Sequence, residues 1–260
     1  MSMEDTNLSL KVIAYIRTDF PEKFGIPRQS GLAATRGEII FEQEYRHPEA
    51  LRGLEAYSYI WLIWGFSKVV QKGWAPTVRP PRLGGNRRMG VFATRSPFRP
   101  NPLGLSCVKL ERIEERKGEG YVLHVRGADL MDGTPIYDIK PYLPYVDCHA
   151  DAAGGFTEQV KDYSLQVEIP DKWAEAIPEE HREALMQILA QDPRPSYQED
   201  PQRIYGMGYA GMNIRFQVRG RVLTVCGVYE CADRTASLPI RPSAALDFLS
   251  VDTATPSKQP

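Results

Sequence analysis

From residue 90 to residue 142 the chain offers one strand-like run after another and no segment with the length and periodicity of a helix. Residues 90–94, 106–112, 121–126 and 134–142 are short stretches rich in β-branched and aromatic residues, separated by turn chemistry. A βαβ layout needs amphipathic helical crossovers between its strands, so this succession predicts a mainly β fold built on a single antiparallel, barrel-like sheet. Residues 8–17 and 37–41 read as two earlier strands around a Gly/Pro-marked loop, 21–31, and 47–57 suits a short helix. The run IWLIWGF, 60–66, is too short for a buried helix and reads as a central strand.

Past the linker-like DAAGG at 151–155 the pattern changes. Residues 172–191 read as a helix with Trp173, Ala176, Leu185, Ile188 and Leu189 on its apolar face. Two strand-like runs follow, 213–218 and 222–228, joined by Arg219-Gly220-Arg221 at hairpin spacing. The expected organisation is a barrel domain over 8–147, a small α+β C-terminal appendage over 156–250, and a polar, disordered tail over 251–260. A composition of 42% hydrophobic and 25% charged residues is that of a globular chain with a real core. No apolar run has the length of a membrane span, and residues 1–7 are polar and acidic, unlike a signal peptide, so a cytoplasmic address is expected. The four cysteines, Cys107, Cys148, Cys226 and Cys231, are far apart and expected to be reduced.

The net charge of −1 argues against a polyanionic partner, but its distribution argues the other way. Between residues 69 and 110 there is no Asp or Glu, while Lys72, Arg79, Arg82, Arg87, Arg88, Arg95, Arg99 and Lys109 all fall there. Such a one-sign stretch creates a local positive potential suited to phosphates, or else forms a solvated loop face. Gly206-Met207-Gly208-Tyr209-Ala210-Gly211 spells a dinucleotide fingerprint, yet no strand–helix context surrounds it, so that reading is rejected. Cys148 beside His149, and Cys226 with Cys231, lack zinc-site spacing, and His47, His124 and His181 are scattered, so neither a metal nor a triad is expected.

The most informative stretch is GVFATRSPFRPNPLGLS, 90–106. It reads as a strand ending at Arg95, a loop stiffened by Pro97, Pro100 and Pro102, and a glycine opening the next strand. Proline lowers the entropy lost on ordering, so this loop can present Arg95 and Arg99 in set positions. Here the chain resembles the tRNA threonylcarbamoyladenosine N6-methyltransferase family, TrmO or TsaA-like. The likeness extends in order through Phe24-Gly25-Ile26-Pro27-Arg28-Gln29, 61–67, Pro80-Pro81-Arg82-Leu83, 129–135 and Asp138-Ile139-Lys140-Pro141-Tyr142, covering about 10–147. A weaker likeness to the family's C-terminal appendage runs through 192–197 and 213–216.

The resemblance implies a non-Rossmann β-barrel that binds S-adenosyl-L-methionine, works as a homodimer and methylates N6 of threonylcarbamoyladenosine immediately 3′ of the anticodon. Carried over motif by motif, the cofactor would meet Pro27, Arg28, Gln29, Phe66, Ser67, Arg95, Leu105, Asp129, Leu130, Met131 and Asp132. Ser67 stands where some relatives carry a larger polar residue. Arg95 or Arg28 suits the methionine carboxylate, and an acid of the 129–132 turn suits the ribose hydroxyls or the amino group. The acceptor N6 is a poor nucleophile that a base would help; Asp132, then Asp138, are the candidates, with plain turn stabilisation as the alternative. Arg79, Arg82, Arg87, Arg88, Arg99, Lys140, Arg194 and Tyr197 are the candidate contacts to the tRNA anticodon stem-loop, with Arg203 also plausible. Phe98 or Tyr142 can stack on a base or belong to the core. Two rival functions stay open: a non-enzymatic RNA-binding barrel, and a methyltransferase of this fold with another acceptor.

Overall fold

Six strands close on themselves in the order β1-β2-β7-β6-β3-β8, every neighbouring pair antiparallel. They are β1 (Ala14–Thr18), β2 (Arg36–Phe41), β3 (Tyr59–Gly65), β6 (Leu103–Arg116), β7 (Gly120–Arg126) and β8 (Thr134–Pro141). A separate two-stranded ribbon pairs β4 (Thr77–Val78) with β5 (Met89–Gly90). The computed structural model describes residues 9–68, 73–80, 87–194 and 200–231. Arg82, Tyr197, Lys72 and the 251–260 tail therefore lie outside the described residues.

Alternation explains the closure. Along β3, Ile60, Leu62 and Trp64 point inward, and β6 sends Ser106, Val108 and Leu110 the same way. They meet Ala14, Ile16, Ile39, Val125 and Ile136 in one apolar core, and the closed sheet leaves no unpaired edge.

The second core belongs to a four-stranded sheet ordered β10-β11-β12-β9: β9 (Gln166–Glu168), β10 (Ile204–Tyr209), β11 (Met212–Arg219) and β12 (Val222–Glu230). Helix α4 (Glu179–Ala190) packs Ala184, Leu185, Ile188 and Leu189 into this core. Phe20 and Ala33, which bracket the connection between β1 and β2, are buried in it as well, so that connection bridges the two cores.

Several elements differ from the sequence expectation. The run 90–94 is not a strand: after Gly90 the chain makes a 3-10 turn at Val91–Ala93. Its hydroxyls divert the backbone, because Thr94 Oγ1 donates to the Val91 carbonyl and accepts the Ser96 amide, while Ser96 Oγ accepts the Phe98 amide. The helix expected over 172–191 is split into α3 (Asp171–Ala174) and α4, because Pro178 cannot continue a helix and instead precedes a new one. Gly53, at φ 87°, likewise splits 47–57 into α1 (Pro48–Leu51) and a 3-10 turn at Leu54–Ala56. Another short helix, α2 (Pro144–Asp147), follows β8. The Gly206–Gly211 stretch runs through strand β10 into a tight hairpin with Ala210 and Gly211 at positive φ, and no helix follows it.

Candidate active site

A line of polar groups crosses the barrel wall. Trp64 Nε1 on β3 donates to Ser106 Oγ on β6 at 2.9 Å, and Ser106 Oγ donates to Asp129 Oδ1 at 2.5 Å. Gly104 makes room for it, since a Cβ there would overlap the Trp64 indole. Ser106 is fully buried, so its hydroxyl needs both partners, and the indole N–H leaves it no choice but to donate onward to the acid.

Asp129 is half-buried just past β7, and burial pushes its carboxyl above the usual range. The Ser106 hydrogen bond, the nearby Arg95 guanidinium and the Ser30 backbone pull the other way without cancelling the effect. Arg95, exposed at the tip of the proline-stiffened loop, donates through Nη1 to Gln29 Oε1. Gln29 Nε2 in turn donates to the Arg28 carbonyl, and Ser30 Oγ accepts the Cys107 amide at 3.1 Å. The loop after Ile26, the arginine loop, strand β6 and the turn after β7 thus meet around one carboxylate.

The remaining candidates fall into distinct groups. Leu105 is 54% exposed on the outer face of β6 opposite Ile63, beside Cys107. Phe66 packs on Trp64 with ring centroids 4.4 Å apart and hangs from the Pro102 carbonyl; the Ser67 amide folds back to Gly65. In the acidic turn, Leu130 is buried in the barrel core, Met131 takes both the amide and hydroxyl of Thr134, and Asp132 Oδ1 accepts the Thr18 amide at 3.0 Å, stitching the turn to the end of β1. Asp138, on β8, pairs with Lys140 Nζ at 2.8 Å and stands in register with Ile63, across which lies Leu105. Pro27 and Arg28 lie in the loop between β1 and β2, with Arg28 Nη2 donating to the Asp192 carbonyl of the second unit at 3.1 Å.

Among the cations proposed for RNA, Arg79, Arg87 and Arg88 are exposed; Arg88 touches Thr77 Oγ1, and Arg99 is half-buried against the Thr94 carbonyl. None of these, nor Arg95, forms an ion pair among the described residues. Arg194 is turned inward, its guanidinium bidentate on the Asp192 carboxylate. Trp64, Ser106 and Ser30 escaped the sequence reading; the one available signal was a serine at an inward position of an apolar strand.

This donor set fits a sulfonium nucleoside carrying an amino-acid tail: a guanidinium that forms no ion pair among the described residues for a carboxylate, and a half-buried carboxylate for hydroxyls or an ammonium. Among the described residues there is no cluster able to hold a metal ion and no helix long and apolar enough to cross a membrane.

Comparison with known proteins agrees. Residues 15–148 match the family model described as the tRNA-methyltransferase O N-terminal domain, and residues 162–231 match the TrmO C-terminal domain. The tRNA (adenine(37)-N6)-methyltransferase of Escherichia coli is 39% identical over 82% of this chain and 94% of its own length. A Pseudomonas aeruginosa protein described as the putative S-adenosylmethionine-dependent methyltransferase RcsF is 42% identical over 84% of this chain and 98% of its own. The crystal structure of TrmO from Pseudomonas aeruginosa superposes with a TM-score of 0.72 at 36% identity, covering 88% of this chain and 100% of that one. The chain belongs to the tRNA-methyltransferase O family.

Proposed function

We propose that this protein transfers a methyl group from S-adenosyl-L-methionine to N6 of adenosine 37 in tRNA, the base immediately 3′ of the anticodon, in its threonylcarbamoylated form. The observation that carries the reading is the meeting of Arg95, Gln29, Ser106 and Asp129 from separate segments, in a chain that matches methyltransferase relatives over nearly their whole length. The donor supplies an electrophilic methyl on a sulfonium. The protein's task is to hold donor and acceptor in line and to exclude water.

Arg95, fixed by Gln29, takes the donor's carboxylate, and Asp129, fixed by Ser106, takes a hydroxyl or the ammonium. Pro27, Arg28, Phe66, Ser67, Leu105, Leu130, Met131 and Asp132 complete the cofactor contacts. Asp132 is the first candidate to accept the N6 proton and Asp138 the second. Arg79, Arg82, Arg87, Arg88, Arg99, Lys140 and Tyr197 are the proposed tRNA contacts, suited to the splayed bases and phosphates of a single-stranded anticodon loop, while Arg194, held on the Asp192 carboxylate, is set aside from that role.

The organisation that serves this is a barrel domain over 8–147, a C-terminal unit over 156–250 and a tail over 251–260. A homodimer in the cytoplasm is part of the proposal: Tyr59 and Leu105 on the outer barrel face, with Tyr145 and Val146 on α2, expose apolar surface fit for a second copy. The test is mass spectrometry of anticodon-loop nucleosides from a deletion strain, which should lose the N6-methylated, threonylcarbamoylated adenosine and regain it with the wild-type gene but not with an Arg95→Ala copy. An unchanged nucleoside profile would end the proposal. For the base, an Asp132→Asn enzyme that binds donor normally yet methylates at full rate would remove Asp132 from that role.

A further inference from the structure

Helix α4 ends in a left-handed residue that is not a glycine. Asp192 sits at φ 54°, a conformation that a side-chain-bearing residue holds only when its surroundings fix it. The residue is buried, at 8% exposure, and its carboxylate is fully occupied. Arg194 donates Nε to Oδ1 and Nη2 to Oδ2, both at 2.8 Å, and the Tyr163 hydroxyl donates to Oδ2 at 2.9 Å. Burial raises the carboxyl's pKa, but the Arg194 and Tyr163 hydrogen bonds outweigh it and hold the group below the usual value.

With the side chain locked inward, the turn sends the Asp192 carbonyl toward the barrel, where Arg28 Nη2 reaches it at 3.1 Å. The same end of α4 grips the connection between β1 and β2 twice more. Gln191 Nε2 donates to the Leu32 carbonyl at 3.2 Å, and Gln187 Oε1 accepts the Ala34 amide at 2.6 Å. Upstream of Arg28 the second unit holds the loop by packing: Phe24 stacks on Phe216, and Gly25, at φ 94°, has the Met207 side chain where a Cβ would stand. Pro27, Arg28 and Gln29 lie between these anchors, and Gln29 positions Arg95.

We infer that Asp192 is a positioning residue for the methyl-donor site: its clamped carboxylate fixes the α4 terminus, and through Arg28 that terminus sets the shape of the cofactor loop. This rests on the reading of 27–29 as donor-binding. The C-terminal unit is then part of the donor site's scaffold, independent of any hold it has on tRNA. A loop already held in its binding shape loses less conformational entropy when the ligand arrives, so loosening it weakens donor affinity and leaves the chemistry of the bound complex alone.

Asp192→Gly is the informative variant, because glycine keeps the left-handed turn and the carbonyl while deleting the carboxylate. Steady-state methylation of tRNA by the full chain should show the KM for S-adenosylmethionine rising about tenfold, with kcat at saturating donor and the KM for tRNA both within about twofold of wild type. Titration calorimetry with S-adenosylmethionine should show the same loss. Asp192→Asn, which keeps a hydrogen-bond acceptor for Tyr163, should lie between the two, and Tyr163→Phe supplies a milder variant should the glycine protein fold poorly. A wild-type donor KM in Asp192→Gly, alongside a raised one in Arg28→Ala, overturns the role of Asp192 and spares the cofactor loop. A wild-type donor KM in Arg28→Ala overturns both.

Discussion

Two groups of arginines on the same barrel meet opposite fates. On the β2–β6–β7 surface, Arg116 joins Glu38 at 2.9 Å, Glu119 at 3.1 Å and Glu114 at 3.3 Å, while Arg17 closes on Glu119 at 2.7 Å. Arg112 and Arg126 pair there too, with Glu114 and Glu111. In the stretch from 79 to 99 the arginines have no such partners among the described residues. The acids differ in the matching way. The arginine hydrogen bonds hold Glu38 and Glu119 below the usual carboxylate range, whereas burial lifts Asp129 above it. Where charges are matched within the chain, the surface is finished; where the described cations lack acids and a half-buried acid lacks a full cation, the surface is a candidate ligand site.

The sharpest way to break this comparison is to remove one arginine from each group. Arg95→Ala should lower kcat/KM for methylation by roughly a hundredfold or more, because a charge-assisted clasp on the donor and the Gln29 contact go together. Arg116→Ala should leave methylation unchanged and lower the melting temperature, less so in high salt, as expected of a partly exposed ion-pair network. Equal losses of activity would mean that pairing does not mark function here. A smaller effect is expected from Arg87→Ala combined with Arg88→Ala. The pair should weaken tRNA binding and flatten the slope of log K against log salt by about 1.4 to 1.8, two phosphate contacts' worth, while Arg112→Ala leaves that slope untouched.

How far this division could be seen in advance depended on whether its cause was local. The acid-free stretch with its prolines is written contiguously, so Arg95 and Arg99 could be picked out as presented cations before any fold was known. The barrel strands were legible for the same reason, since β-branched and aromatic runs bounded by turn residues are a local property. Strand β10 was not, because Gly206 and Gly208 depress strand propensity; the glycine at 208 is explained only by Pro21, whose Cγ would lie 3.1 Å from a Cβ there. Ser106 looked like one more strand residue until Trp64 and Asp129 bracketed it. The grip of Gln187, Gln191 and Asp192 on the connection between β1 and β2 spans some 150 residues of sequence and leaves no pattern that periodicity or turn chemistry can register. Asp192 in particular sits in a stretch legible only as a weaker likeness to the family's C-terminal appendage, which hides both its buried carboxylate and the carbonyl that Arg28 takes.

The finest test of the comparison is in the pH dependence of stability, where the two kinds of acid have opposite signs. Glu38 and Glu119 titrate lower in the folded chain than the 4.5 of the unfolded one, so their pairing stabilises the protein above that pH and is lost as the pH falls through their depressed values. Asp129 titrates above its ordinary 3.8, so the folded chain holds its proton more tightly than the unfolded chain does. Its contribution therefore diminishes as the pH rises through the interval above 3.8, and at neutral pH the charged, half-buried carboxylate is a net cost to the unliganded protein. Asp129→Asn keeps an acceptor for Ser106 and removes that charge. Denaturant melts of the unliganded variant should show a stability gain at neutral pH that shrinks toward acid, together with a donor affinity at least about tenfold weaker, a loss of roughly 1.4 kcal/mol. Lower stability at neutral pH would show that Asp129 is already fully compensated within the chain, like Glu38 and Glu119, and that its lifted pKa does not mark a place kept for a ligand.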